Sequence, residues 1–261
     1  MKTMKSDIAI QLTGVYKNYE IHHEKPTIVE HLVHGKNEQY TALRNINLTI
    51  YSGEKVGIIG SNGSGKTTLL KIIAQIATPS KGVVTTQGKV VSLIDIEAGF
   101  HPDLTGIQNI YLNGMLLGLP RRDIEDRIQT IMAYADIKQF IDAPLYTYSS
   151  GMKLRLGFAV AIQSDPNILL LDESINVGDQ AFKNKIRRTA KNIFHKKTLF
   201  VVSHDMYTLI DYCDRAIIMD KGSLVFDGTL WDASRHYYRN RVPAEIDWYL
   251  KYRKKHTHLP K

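Results

Sequence analysis

The chain has 261 residues, of which 43% are hydrophobic and 23% are charged, and this is the composition of a globular protein large enough to bury a full core. The formal net charge of +8 favours anionic partners: a nucleotide, a nucleic acid or an acidic membrane surface. The single cysteine, Cys213, excludes an internal disulfide and is expected to be a packed structural thiol. Residues 1–10 lack the apolar core of a signal peptide, and no stretch approaches the length that spans a bilayer.

A phosphate-binding loop follows two predicted N-terminal strands, residues 8–19 and 42–51, which are separated by an irregular segment, residues 21–39. The short apolar strand 55–59 leads into Gly-Ser-Asn-Gly-Ser-Gly-Lys-Thr, residues 60–67, and a helical pattern begins after it. The G-x-x-x-x-G-K-T spacing between a strand and a helix is typical of a loop whose backbone N–H groups cradle the phosphates of ATP. Lys66 is predicted to reach the β- and γ-phosphates, and the Thr67 hydroxyl to bind Mg²⁺. The residues predicted to bind the nucleotide are Ser61, Asn62, Gly63, Ser64, Gly65, Lys66, Thr67 and Thr68.

The rest of the chain alternates between α/β and helical patterns. Residues 83–93 are predicted to form a hairpin with a bend at Gly88. Helical patterns then occupy 109–117, 121–135 and 152–163, and α/β alternation returns with strands 168–171 and 198–202 and helices 180–194 and 206–212. A last hairpin, within residues 216–226, turns at Lys221-Gly222. These patterns predict a helical insertion between two halves of a parallel sheet.

Two acids, Asp172 and Glu173, follow the apolar strand 168–171. Ligands of an open parallel sheet lie at the carboxyl ends of its strands, which places both acids near the phosphate-binding loop. Asp172 is therefore predicted to bind Mg²⁺, directly or through water. Glu173 is predicted to orient or deprotonate the water that attacks the γ-phosphate.

With these motifs the chain resembles the ATP-binding cassette (ABC) ATPases of transporters, from about Ile8 to Gly228. Residues 148–152, Tyr-Ser-Ser-Gly-Met, are similar to the signature motif of that family. The resemblance implies an α/β fold: a P-loop NTPase core with a parallel sheet, an N-terminal antiparallel β-subdomain and an inserted helical subdomain at about 99–164. It divides the chain into a cassette, residues 1–228, and a basic aromatic extension, residues 229–261.

The resemblance also implies the roles of further residues. Two identical cassettes would pair head to tail, so that Ser149 and Gly151 of each contact the ATP held by the other. Asp179 would be the D-loop aspartate, which contacts the nucleotide site, and His204 the catalytic switch histidine. Tyr19 would stack on the adenine, with Tyr40 as its rival.

The chain departs from the family pattern at two motifs. No glutamine ends the stretch that enters the helical subdomain, and Asp95 or Glu97 would replace it near the metal. We take Asp95 as the candidate ligand. The signature has Tyr148, Ser150 and Met152 where Leu, Gly and Gln are usual. Together with residues 98–106 and 177–179, these departures resemble the ATPases that export teichoic acid, O-antigen and capsule.

The expected function is that of the ATP-hydrolysing subunit of a polysaccharide exporter, with wall teichoic acid as the favoured polymer and O-antigen or capsule as alternatives. The resemblance implies a homodimer of cassettes with ATP and Mg²⁺, under an ABC-2 type permease at the cytoplasmic side of the cell membrane, with only indirect contact with lipid and no nucleic acid. A soluble cassette of translation or DNA repair is disfavoured because the chain has neither a second cassette nor a long coiled coil. A regulator without turnover is disfavoured because Lys66, Asp172, Glu173 and His204 are all present.

Two regions leave alternatives open. Residues 27–33 are predicted to form a short helix, and His31 and His34 are spaced to share a helix face. The two histidines either bind a metal or, in the favoured interpretation, belong to a helix that touches the permease or lipid head groups. For the basic aromatic tail the favoured interpretation is a helix with a solvated basic face. An anchor to anionic lipid is the second alternative and a nucleic-acid surface the third.

Overall fold

The fold is built on two β-sheets with helices packed around the larger one. The computed structural model describes residues 7–21, 38–94, 99–172, 180–192, 197–239, 243, 246–248 and 251. The strands in these residues are β1 (Ile8–Ile21), β2 (Glu38–Tyr51), β3 (Lys55–Ile59), β4 (Lys81–Thr86), β5 (Val90–Ser92), β6 (Ile168–Leu171), β7 (Thr198–Val202), β8 (Arg215–Asp220) and β9 (Ser223–Thr229). The helices are α1 (Lys66–Ile73), α2 (Gly106–Leu116), α3 (Arg121–Ala135), α4 (Ser150–Gln163), α5 (Gln180–Asn192), α6 (Met206–Tyr212) and α7 (Leu230–Tyr237).

The larger sheet has the strand order β5-β6-β7-β3-β8-β9, with parallel pairing throughout except for the antiparallel β8–β9 hairpin. Its central strands are buried on both faces, which is why they are continuous apolar runs without alternation. One face packs on α4, α5 and α6 and the other on α1 and the smaller sheet. The predicted α/β fold with a parallel sheet is confirmed, and the carboxyl ends of β3, β6 and β7 lie along one edge.

The smaller sheet is antiparallel, with the order β2-β1-β4. Its long ribbon β1–β2 is paired out to Ile21 and Glu38, so residues 22–37 begin and end at neighbouring positions. Within the ribbon Tyr19 is paired directly with Tyr40. The predicted helix with His31 and His34 lies outside the described residues.

The hairpin predicted for residues 83–93 is wrong, because its two halves belong to different sheets. β4 pairs with β1 in the smaller sheet, and β5 pairs with β6 in the larger one. The chain crosses between them at Gly88, which has a φ of +87° and lies against Asn167. The Asn167 side chain accepts a hydrogen bond from the Lys89 backbone N–H at 2.8 Å and holds the crossing.

The helical part, α2 to α4, has a hydrophobic core of its own. Helix α2 begins with a capping box formed by Thr105 and Gln108. A core made mainly of aliphatic side chains joins the three helices. Cys213 is fully buried in the main core, as expected of a structural thiol. Among the described residues, no helix is both long and apolar enough to cross a membrane.

Candidate active site

The phosphate-binding loop connects the central strand β3 to helix α1. Gly65 precedes the helix with a φ of 101°, a conformation that favours glycine, and a Cβ there would lie 2.7 Å from the Ala42 carbonyl oxygen. No side chain caps α1 and no acidic residue lies in its first turn. The first backbone N–H groups of the helix therefore have no intrahelical partner, and the positive end of the helix dipole is open to an anion.

Lys66 and Ser64 place polar groups inside this loop. Lys66 is 6% exposed, and its ammonium donates hydrogen bonds to the carbonyls of Gly60 at 2.8 Å and Ser61 at 3.0 Å. The Ser64 hydroxyl is buried, and in the described part of the chain it has no hydrogen-bond partner. A buried cation, an orphaned hydroxyl and an uncapped helix fit a phosphate chain, because the cation attracts its negative charge and the hydroxyl and helix N–H groups can bond its oxygens.

A cavity of about 370 Å³ opens over the loop. Eight of the predicted residues line it: Asn62, Gly63, Ser64, Gly65, Lys66, Thr67, Thr68 and Asp172. Asp172 enters from the end of β6, two strands away from β3. Together Thr67 and Asp172 supply the hydroxyl and carboxylate oxygens that suit Mg²⁺. Sequence reasoning missed Ala42, because the approach of β2 to the loop is a tertiary contact without a local signal.

An aromatic side chain from β2 also lines the cavity. It is Tyr40, whose hydroxyl donates to the Gly63 carbonyl at 3.4 Å and whose ring is 47% exposed. Tyr19, the residue predicted to stack on the adenine, is opposite Tyr40 in the ribbon, with the Lys17 ammonium 5.0 Å from its ring centroid. Side chains of directly opposed residues share a face of the ribbon, and of the two rings Tyr40 is the one in the cavity lining.

His204 follows β7 at the same edge of the sheet. The ladder between β3 and β7 runs to Ile58–Val202, and the Ser203 N–H still donates to the Ile58 carbonyl at 3.1 Å. His204 is the next residue and is exposed, and its role as the switch histidine stays a prediction. Glu173, Asp179, Asp95 and Glu97 lie outside the described residues, and their roles stay predictions.

The signature residues begin helix α4 in the helical part. Ser149 is the N-cap of α4, and its hydroxyl accepts a hydrogen bond from the Met152 N–H at 3.2 Å. Ser149 and Ser150 are exposed, Gly151 is half-buried, and none of the three lines the cavity over the phosphate-binding loop. This N-terminus is therefore available to a group from outside the chain.

Comparisons with known proteins agree with this geometry. A family model described as ABC transporter matches residues 43–176. An O-antigen export system ATP-binding protein RfbB of Klebsiella pneumoniae is 40% identical over 225 residues, which are 82% of this chain and 91% of that protein. A teichoic acids export ATP-binding protein TagH of Bacillus cereus is 36% identical over 231 residues, which are 87% of this chain but only 42% of that protein.

Among solved structures, the fold is similar to the dimeric post-hydrolysis state of the ATP-binding cassette MJ0796 bound to ADP and Pi. The TM-score is 0.70 at 24% identity, and the match covers 85% of this chain and 98% of that one. At this identity the likeness is one of fold.

Proposed function

Because the chain belongs to the ABC transporter family, we propose that it is the ATP-hydrolysing subunit of an exporter of a cell-surface polysaccharide. The observation that carries the ATP-binding part is the cavity in which buried Lys66, the uncapped start of α1 and Asp172 converge. The polysaccharide part is supported by relatives whose names state O-antigen export and teichoic acids export.

The described residues account for the binding of ATP. The ammonium of Lys66 and the first N–H groups of α1 hold the negative triphosphate, and the Ser64 hydroxyl gains a phosphate partner. Tyr40 offers a ring at the mouth of the same cavity for the adenine. Thr67 and Asp172 would hold Mg²⁺, which neutralises phosphate charge when it is bound.

Hydrolysis breaks the bond between the β,γ-bridging oxygen and the γ-phosphorus and yields ADP and phosphate. Glu173 directly follows Asp172 in the sequence and accepts the proton of the attacking water in the proposed reaction. His204 lies at the end of the neighbouring strand, at the edge where the γ-phosphate would be. In the proposed reaction its ring donates a hydrogen bond to the phosphate oxygens.

The exposed signature supports assembly as a pair. Ser149 and the open N-terminus of α4 can contact the γ-phosphate bound by a second copy, whereas they do not line the cavity of their own chain. In the proposed cycle ATP closes the head-to-tail dimer and hydrolysis opens it. Two identical cassettes would act under an ABC-2 type permease at the cytoplasmic side of the cell membrane, and Asp179 of each would lie near the shared site.

The proposal also concerns which polysaccharide is exported. Chain length does not separate teichoic acid from O-antigen, since 225 aligned residues make up 91% of the Klebsiella relative. The O-antigen relative is also the more similar of the two, at 40% against 36% identity. We keep teichoic acid and O-antigen, the two polymers that the relatives' names state, as the candidates.

The test combines hydrolysis with export. Glu173→Gln should retain ATP binding and lower turnover by about 10²–10⁴-fold, because the water loses its base. Glu125→Gln, on the exposed face of α3, is the matched control and should hydrolyse ATP at the parent rate. In the source cell, replacement by the Glu173 variant should stop the appearance of surface polysaccharide. Normal turnover by the Glu173 variant would remove that residue from catalysis, and normal surface polymer with an inactive ATPase would refute the export function.

A further inference from the structure

Tyr148 is the buried residue immediately before the signature serine. It is 5% exposed, and its hydroxyl donates a hydrogen bond to the Phe140 carbonyl at 2.6 Å. Its ring meets the Phe140 ring edge-on, with centroids 6.5 Å apart. The tyrosine therefore ties the start of α4 to the segment between α3 and α4.

Gly106, the first residue of α2, makes the room for this hydroxyl. A Cβ at Gly106 would lie 2.2 Å from the Tyr148 hydroxyl oxygen and 3.1 Å from the ring carbon that carries it. The backbone around the notch is fixed, because the N–H groups of Gly106 and Ile107 donate to the carbonyls of Ala143 and Ile141. Tyr148 and Gly106 are thus a complementary pair: the hydroxyl occupies the volume that any other residue would fill.

The first turn of α4 adds a partly buried apolar contact with the helical core, that of Met152. Residues 149–153 are exposed or half-buried, and the next buried side chain along the helix is Leu154. The buried residues 154 and 156–162 fix the axis of α4, and Tyr148 is the buried residue that fixes the chain immediately before its N-cap. A change at Tyr148 would shift the adjacent N-cap, Ser149, and its hydroxyl without reaching the phosphate-binding loop of the same chain.

We propose that Tyr148 is a positioning residue whose hydroxyl, seated in the Gly106 notch, aims the N-terminus of α4 at the ATP bound by the partner cassette. This inference rests on the proposed head-to-tail dimer and assigns a role to the tyrosine by which this signature departs from the usual leucine. The inference makes different predictions for two affinities. The affinity of one chain for ATP does not depend on Tyr148. The affinity of two ATP-bound chains for each other does.

The first experiment removes only the hydroxyl. In the Glu173→Gln background, which suppresses turnover, Tyr148→Phe should weaken ATP-driven dimerisation about threefold to tenfold, the effect of one net hydrogen bond. Its affinity for ATP as a monomer should stay within about twofold of the parent. Tyr146→Phe is the matched control, because Tyr146 is two residues earlier and 66% exposed, and it should change neither quantity. Dimerisation is measured by sedimentation and monomer affinity with a fluorescent ATP analogue below the dimerisation concentration.

The second experiment tests the pairing with Gly106. Gly106→Ala should abolish ATP-driven dimerisation in the tyrosine background, where the new methyl meets the hydroxyl. In a Tyr148→Leu background the same change should have little effect, since the one remaining close contact, 3.0 Å to the Ile141 carbonyl, needs only a small shift.

The outcomes separate the two hypotheses. Equal dimerisation of the Tyr148 and Tyr146 variants, or an equal loss of monomer affinity and dimerisation in Tyr148→Phe, would overturn the positioning role while the dimer itself stands. Additive effects of Gly106→Ala and Tyr148→Leu would overturn the complementary pair. A parent that never dimerises with ATP would instead refute the head-to-tail assembly, and this inference with it.

Discussion

Gly88→Ala is the substitution that best tests how the two sheets are joined. The residue has a φ of +87°, and a left-handed backbone costs a residue with a Cβ about 1–2 kcal/mol. The new Cβ would lie 2.6–2.7 Å from side-chain atoms of Asn167, which must move and give up the 2.8 Å hydrogen bond from the Lys89 N–H, a loss of about 1 kcal/mol. Alanine also restricts the unfolded chain, which offsets about 0.4–1 kcal/mol. The free energy of unfolding should therefore fall by about 2 kcal/mol.

Urea denaturation followed by circular dichroism measures this loss, and the chain offers matched controls. Gly118 has a similar φ of +77°, but a Cβ there would meet no atom within 4 Å, so Gly118→Ala carries the backbone strain alone. In an Asn167→Gly background, which also removes the Asn167 Cβ that would lie 2.7 Å from the new methyl, the cost of Gly88→Ala should fall to that of Gly118→Ala. Equal costs for the two glycine substitutions in the parent chain would refute the reasoning, because the contact with Asn167 would then contribute nothing.

Three further predictions concern the nucleotide site and the pH response. Lys66→Ala should raise the dissociation constant for MgATP at least about tenfold, because the phosphates lose a charge-assisted partner worth about 1.5–3 kcal/mol; an unchanged constant in an equilibrium titration would refute the phosphate-loop assignment. Tyr40→Ala should weaken ATP binding by about 1 kcal/mol or more through lost stacking, and by more than Tyr19→Ala in the same titration; the reverse order would restore Tyr19 as the adenine residue. Burial raises the pKa of Tyr134 to about 12 against 10.0 for a free tyrosine, although its hydrogen bond with Thr189 opposes the shift. Above pH 10 the unfolded state loses this proton and the folded state keeps it, so the urea midpoint of unfolding should decrease as the pH is raised from 10 to 12. The decrease should be less steep in Tyr134→Phe. Equal slopes for the two proteins would contradict the raised pKa.

The elements near the site could be predicted from sequence because their signals are local. The apolar run 168–171, the glycine loop before Lys66 and the helix 121–135 each have a pattern that fixes their type, and the structure has them within a residue or two. The turn at Lys221-Gly222 was predictable for the same reason, since both residues have the positive φ of a tight hairpin turn.

The pairing of strands that are distant in the sequence could not be predicted in this way. Residues 83–93 have the sequence of two short strands with a glycine between them, and nothing local shows that β4 pairs with β1 and β5 with β6. The choice between Tyr19 and Tyr40 was open for a related reason: they are 21 positions apart in the chain, and only the register of the ribbon places them opposite each other. Which strands are neighbours in a sheet depends on the tertiary structure, and a single sequence contains little information about it.

The paired ends of the β1–β2 ribbon have a consequence for how such a protein can diverge. Because Ile21 and Glu38 are held together by the ladder, the chain between them closes a loop whose entropic cost grows only with the logarithm of its length. Doubling the number of residues there costs about 0.6 kcal/mol, and replacing residues 22–37 by a four-residue turn recovers only about twice that amount. Evolution can therefore graft, enlarge or delete a segment at this point with almost no penalty to folding, while Tyr40 and the nucleotide site keep their framework. The paired end of the ribbon is therefore a position at which the length of the chain can change without displacing Tyr40.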